Sequence, residues 1–373
     1  MLAAGTAAQA GFSTISFAVA VLAPALREHY DLSLTEIGVV LAAQWIGLTF
    51  SMLPWGYAAD RFGERVTLAV GLLACSGFLA GAAFAPDFGT LVAMLTLAGV
   101  AGGSVQSGSG RAVMEWFGAH ERGLALGVRQ TAIPFGGFVA AVVLPLLDGP
   151  REGFLFLSAF VLAGAIAGAV VLRSRSGGEL PDEAEIAATL RDRRLLLVCG
   201  VSAAYVVAQV VLMGFLVLFL HDERGFTTGA AAAALAVSQI AAVVVRIAVG
   251  RWSDVTRSRV RPLRIIGAAM AVSIALVAVT ASAAGWLAAA AIVTATALSM
   301  AWNGLAFTIA AELGRRRSGA AIGLQQTVVS ASGVGTPVAF AALVSWTSWQ
   351  AAFAISALFP LAGWLLLQRL DEP

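Results

Sequence analysis

The sequence contains no lysine; all 23 of its basic residues are arginine. Only 12% of its 373 residues are charged, about half the share usual in soluble domains. It has two cysteines and three histidines. Each scarcity excludes something. Cys75 and Cys199 lie in apolar runs and read as small core residues, not as a disulfide or metal pair. His29, His120 and His221 are far apart at the ends of apolar runs, so zinc chemistry has no ligand cluster. A net charge of +2 creates no field to recruit a polyanion, which removes nucleic acid as a partner. No nucleophile–base pair and no nucleotide loop is present, so neither an enzyme nor a cofactor is expected.

What the chain has in abundance is apolar surface. It is 59% hydrophobic with a mean hydropathy of +0.88, more than one soluble fold can hide. The apolar runs do not alternate, and most are long enough to cross about 30 Å of hydrocarbon. In lipid each backbone polar group must pair within its own segment, which points to helices. Twelve spans are expected, at roughly 3–26, 36–57, 67–86, 90–115, 123–147, 153–172, 195–220, 228–250, 265–283, 286–311, 319–344 and 349–368. The first has no basic segment before it and no clear cleavage site, so it reads as a true span and not a signal peptide.

Arginine sets the expected orientation. Seventeen of the 23 fall in loops after even-numbered spans or in the C-terminal tail. Three, Arg27, Arg151 and Arg224, fall on the opposite side, and three lie inside spans. Such asymmetry places both termini inside the cell. The polar stretch 173–194, with Glu179, Asp182, Glu183 and Glu185, divides the spans six and six. It is the expected cytoplasmic linker between an N-terminal half, 1–172, and a C-terminal half, 195–373. Its part from Pro181 to Arg194 has the makings of a short surface helix.

The halves repeat each other. Gly56-Tyr-Ala-Ala-Asp60 recurs as Gly250-Arg-Trp-Ser-Asp254, and Arg65 falls on Arg259. Gly123, Ala125, Gly127, Gln130, Thr131 and Gly137 recur as Gly319, Ala321, Gly323, Gln326, Thr327 and Gly333. Parallel six-span repeats are a known transporter design. The loop Gly56-x-x-x-Asp60-Arg61-x-Gly63-x-Arg65, after the second span, resembles the signature loop of the major facilitator superfamily. The resemblance extends over the whole chain. It implies an all-α polytopic membrane protein of twelve transmembrane helices in two six-helix pseudo-repeats, a monomer in the bacterial inner membrane. It also implies that Gly56, Asp60, Arg61, Gly63, Arg65, Gly250 and Asp254 serve gating. Asp60 would face the start of the eleventh span near Gly319, and Asp254 that of the fifth near Gly123, since a carboxylate is stabilised at a helix N-terminus. Two departures count against proton-coupled drug efflux: no Arg occurs in Leu95–Gly103 of the fourth span, and the fifth span keeps only Gly127, Pro134, Gly136 and Gly137 of the drug-antiporter pattern.

Candidate chemistry follows from polar groups that a bilayer makes costly. Arg111, Arg129 and Arg246 lie inside spans, and their repeat counterparts Phe307, Gln325 and Met52 are uncharged. The shared scaffold therefore does not require them. Arg111 is near a span end with Glu115 four residues on, so a local ion pair accounts for it equally well. Arg246 shares a helical stripe with Gln239 and has nearby carbonyls within reach as an alternative. Arg246-x-x-x-Gly250-x-x-x-Asp254 resembles the eighth-span pattern of monocarboxylate porters, which implies a contact to substrate carboxylate. Arg129 shares a stripe with Ala125, Ala132 and Gly136, small residues that leave room. Gln130 and Gln326 lie on glycine-rich faces suited to helix packing. Gln9, Gln44, Trp45, Gln106, Tyr205, Gln209, Trp302 and Asn303 are further cavity candidates, each equally at home in packing.

No Asp or Glu occupies the middle of any span. Buried guanidinium without buried carboxylate favours an anion. The expectation is a secondary transporter for a small organic anion, working by alternating access, with uptake favoured over export and a coupling proton left open. The alternatives are a permease for efflux of amphipathic compounds and a non-transporting membrane sensor or intramembrane enzyme.

Overall fold

In this computed structural model the described residues are 2–116, 131–171, 189–314 and 318–371. They are helical throughout, with short connections. The first part of the chain forms α1 (Leu2–Tyr30), α2 (Leu34–Phe62), α3 (Glu64–Ala82), α4 (Phe88–Trp116), α5 (Ala132–Val143, continued by a 3₁₀ turn Leu144–Leu146) and α6 (Pro150–Val171). The second part forms α7 (Arg193–Leu218, continued by a π turn Phe219–Glu223), α8 (Thr228–Thr256), α9 (Val260–Thr280), α10 (Gly285–Ser299), α11 (Trp302–Gly314), α12 (Ser318–Trp346), α13 (Trp349–Ser356) and α14 (Leu358–Leu367). Among the described residues, eleven segments are long and apolar enough to cross a membrane, and Ala132–Leu146 is a shorter apolar helix. The chain is an all-α polytopic membrane protein of twelve spans.

Local chemistry sets the helix boundaries. Ser33 and Glu36 form a capping box at the start of α2, each satisfying a backbone N–H of the other. Asp87 accepts the Thr90 backbone N–H at 2.8 Å and the Thr90 hydroxyl at 3.1 Å before α4. Those bonds hold its carboxyl below the usual range. Between α2 and α3 the chain turns on Gly63 alone, at φ 80°. A side chain there is strained, which explains the glycine in the motif loop.

Burial sorts the helices. On α1 every residue from Phe17 to Ala23 is buried, and on α7 every residue from Ala208 to Leu220. A helix apolar on all faces and enclosed on all faces is a central helix. Peripheral helices instead expose apolar side chains: Val70 and Leu73 on α3, Leu162 and Ile166 on α6, Val272 and Val279 on α9. In water such patches are a liability; in hydrocarbon they are the required surface.

Small residues let backbones touch. A Cβ on Gly47 of α2 would lie 2.0 Å from the Thr96 carbonyl of α4, and one on Gly99 would lie 2.3 Å from the Gln44 carbonyl. This crossing, with Trp55 Nε1 donating to the Val100 carbonyl at 2.6 Å, fixes α2 on α4 without a hydrophobic driving force.

Among the described residues, two spans are interrupted where continuous helices were expected. The tenth is broken at Met300–Ala301, between α10 and α11, and the twelfth at Ala357, between α13 and α14. No proline or glycine marks the first break. Thr296 and Ser299 instead bond back to the Ile292 and Thr296 carbonyls at 2.7 Å each, competing with the helical ladder.

Candidate functional site

Among the described residues, the two parts of the chain meet most extensively where α1 packs on α7, α2 on α12, and α5 on α8. The α2–α12 contact is close. A Cβ on Gly38 would lie 2.8 Å from the Pro337 carbonyl, and one on Gly333 would lie 2.6 Å from the Trp45 ring. At the α5–α8 contact, a Cβ on Gly137 would lie 2.8 Å from the Gln239 amide carbon. Gly137 therefore makes the room that Gln239 occupies.

The buried face of α8 runs through Leu235, Gln239, Ala242, Arg246 and Val249. This three- and four-residue spacing makes a single stripe. Arg246 is 7% exposed. Its guanidinium donates from Nε at 3.1 Å and Nη2 at 2.7 Å to the Met300 carbonyl. That carbonyl lies in the break between α10 and α11, where the ladder is interrupted. The break is held from α7 as well: Gln209 Oε1 accepts from Trp302 Nε1 at 3.0 Å and from Asn303 Nδ2 at 3.1 Å. The segment Met300–Asn303 is thus tied to both flanking helices by polar side chains. Sequence reasoning had named the four side chains of this cluster but not the Met300 carbonyl or the break that presents it.

A second polar cluster links α7 to α12. Gln325 Nε2 donates to Ser202 Oγ at 3.0 Å, and Gln326 Nε2 donates to Gln325 Oε1 at 2.8 Å. Ser202 gave no sequence signal beyond a hydroxyl in an apolar run. On the other part of the chain, Ser16 Oγ donates to Gln44 Oε1 at 2.9 Å and Gln9 Nε2 to Ser13 Oγ at 3.2 Å. Gln239 is fully buried, and its Oε1 has no hydrogen-bond partner among the described residues.

Tyr205 sits in a packed slot. A Cβ on Gly267 would lie 1.8 Å from its hydroxyl, and one on Gly363 would lie 2.4 Å from its ring. The phenol is wedged between α9 and α14, fully buried, with its hydroxyl 3.5 Å from the Leu263 carbonyl. Two glycines make its slot, and its ring meets Trp302 edge-on at 5.9 Å, so it packs within the second part of the chain. Arg129 lies outside the described residues. The α4 backbone carries Gln106 and Arg111, but their side chains also lie outside the description, as does that of Asp60.

The motif loops sit at the Arg-rich end. Arg61 and Arg65 are exposed beside Gly63, and a Cβ on Gly56 or Gly250 would meet nothing within 4 Å. In the second copy, Asp254 is paired with Arg259. Arg259 also reaches Glu312 of α11 at 3.7 Å. Asp254 was expected to face the fifth span near Gly123, which lies outside the described residues; its observed partner is on its own side of the chain. The opposite end is tied across. Arg27, at the end of α1, forms an ion pair with Asp222 in the π turn after α7. His221 Nδ1 lies 2.7 Å from the same carboxylate.

Comparisons with known proteins agree with this architecture. Residues 3–337 match the family described as the Major Facilitator Superfamily. An uncharacterised MFS-type transporter of Mycobacterium tuberculosis is 31% identical over 351 residues, covering 92% of this chain and 79% of the relative. A probable sulfoacetate transporter of Cupriavidus necator is 26% identical over 91% of this chain and 85% of its own length. A hexuronate transporter of Bacillus subtilis is 27% identical over 130 residues, 35% of this chain and 31% of the relative.

Proposed function

The chain belongs to the major facilitator superfamily and is a membrane transporter, not an enzyme; on that premise we propose that its solute is a small organic anion, bound by Arg246 and Arg129 at the interface of two six-helix halves, 1–172 and 195–373. The observation that carries this reading is Arg246. Its charge is buried on the α8 stripe that meets α5, and the sequence supplies no carboxylate in mid-span. A guanidinium fork suits a carboxylate or sulfonate better than any neutral solute. Sulfoacetate and hexuronate, in the names of two relatives, are both such anions. Gln239 adds an acceptor: its open Oε1 suits a hydroxyl on the same solute.

The transport cycle in this reading is alternating access in the bacterial inner membrane, with the Arg-rich end and both termini cytoplasmic and the protein acting as a monomer. The packing supports a state closed at the Arg-poor end, where Gly38 meets Pro337 and Arg27 meets Asp222. Arg27→Ala removes that tie. An exposed pair contributes about 0–1 kcal/mol, so the balance should shift toward opening at that end by up to about fivefold. Accessibility of a cysteine placed beside Asp222 should rise; unchanged labelling would remove the pair from the gate. Asp60→Asn should leave insertion intact and slow transport, because an amide loses most of the attraction to a helix N-terminus. Wild-type rates at equal expression would count against that role.

The test of the solute class is counterflow into liposomes containing the purified protein, against labelled carboxylates and sulfonates, neutral sugars and cationic dyes. Anions alone should exchange. Exchange of dyes but not anions would replace this proposal with efflux of amphipathic compounds.

A further inference from the structure

At the Arg-rich end, α7 begins beside the turn that ends the chain's last helix. A cavity of about 540 Å³ lies there, lined by Asp192, Arg193, Arg194, Leu197 and Arg369. Arg264 of α9 donates Nε to the Leu367 carbonyl at 3.0 Å and Nη2 to the Leu370 carbonyl at 2.7 Å. This clamp fixes the turn that carries Arg369. The one carboxylate in the lining is engaged: Asp192 Oδ1 accepts the Arg194 backbone N–H at 2.7 Å as the cap of α7. Among the described residues, Arg193, Arg194 and Arg369 form no ion pair. Three guanidiniums therefore converge on one cavity around a carboxylate that is already bound.

Leu196 on α7, two residues after Arg194, and Leu365 on α14, four residues before Arg369, are apolar side chains 50% and 55% exposed. We propose that this cavity binds the phosphate of an anionic phospholipid headgroup, with the acyl chains lying along the exposed leucines of α7 and α14. Guanidinium forks match phosphate oxygens two at a time. Basic pockets between membrane helices on the cytoplasmic side are suited to such headgroups. Arg246 is not part of the cavity's lining.

The test uses the full-length protein in neutral detergent, titrated separately with phosphatidylglycerol, phosphatidylcholine and inorganic phosphate, with bound lipid counted by native mass spectrometry and melting followed in parallel. Phosphatidylglycerol should bind and raise the melting temperature, while phosphatidylcholine does neither. Each basic residue near a headgroup strengthens binding about fivefold, so R193Q/R194Q/R369Q should bind phosphatidylglycerol about a hundredfold more weakly. R257Q, a charge lost elsewhere on the same end, should bind normally. The triple variant must melt like wild type without lipid, since all three side chains are exposed. R264A, which releases the turn, gives a second handle and should weaken binding without removing any lining charge. Equal stabilisation by inorganic phosphate supports the phosphate site and makes its occupant soluble. Equal phosphatidylglycerol binding by wild type and the triple variant would overturn the proposal.

Discussion

Arg246→Ala is expected to abolish anion transport while the protein still inserts in the membrane. A charged hydrogen bond is worth about 1.5–3 kcal/mol, so losing the fork should weaken binding roughly tenfold to a hundredfold. Insertion should not suffer, because an Arg at a helix centre costs about 2.5–3.5 kcal/mol to place there. The contact with Met300 complicates a single substitution, since removing the guanidinium leaves a buried carbonyl short of its donors. Two variants separate the roles. Arg246→Gln keeps an N–H for Met300 and loses the charge; Arg246→Lys keeps the charge and loses the planar fork. If Arg246 binds solute, Gln should melt near wild type and not transport, and Lys should transport with weakened affinity. Normal solute affinity in the Gln variant would reduce Arg246 to a clamp on the α10–α11 break. Arg129→Ala should match the loss of transport, and Arg111→Ala should do much less.

The largest stability effect is expected at Gly47. Adding a side chain there drives a carbon into the Thr96 carbonyl and the Val100 amide, at 2.0 and 2.5 Å. Both are helix backbone, which cannot rotate aside as a flexible side chain does. Overpacking usually costs about 1–3 kcal/mol, and this site belongs at or beyond the upper end. Gly47→Leu should lower the melting temperature in detergent by roughly 5–10 °C or prevent accumulation of folded protein, whatever the solute. Gly56→Ala, nine residues along the same helix, meets open space and should melt like wild type. A transport defect in Gly56→Ala would then report on gating alone. Equal melting of Gly47→Leu and wild type would mean that α2 and α4 do not cross as closely as their backbones indicate.

The membrane character of this protein was legible in composition, because apolar surface has no alternative to lipid once it exceeds what one core can bury. The spans were legible for the same reason: hydrocarbon thickness fixes their length. The loop that carries Gly63 was legible as a motif; that the chain turns there on one residue of positive φ was not. Arg246 and Gln209 stood out as polar groups in apolar runs, and both proved to be buried and bonded across helices.

What only the tertiary structure decided is which way those side chains point and what they meet. Tyr205 had the same standing in the sequence as Gln209, four residues away. The packing sent it into a slot between Gly267 and Gly363, residues 62 and 158 positions further along the chain. The break at Met300–Ala301 carries no proline or glycine; Arg246 and Gln209 hold it from neighbouring helices. The pairing of Arg27 with Asp222 joins residues 195 positions apart. A span's hydropathy reports what surrounds it on average, and average surroundings fix that a helix crosses the membrane. Helix rotation and neighbour choice are fixed by small residues and single hydrogen bonds between helices. Those contacts are long-range, so the folded chain alone settles them.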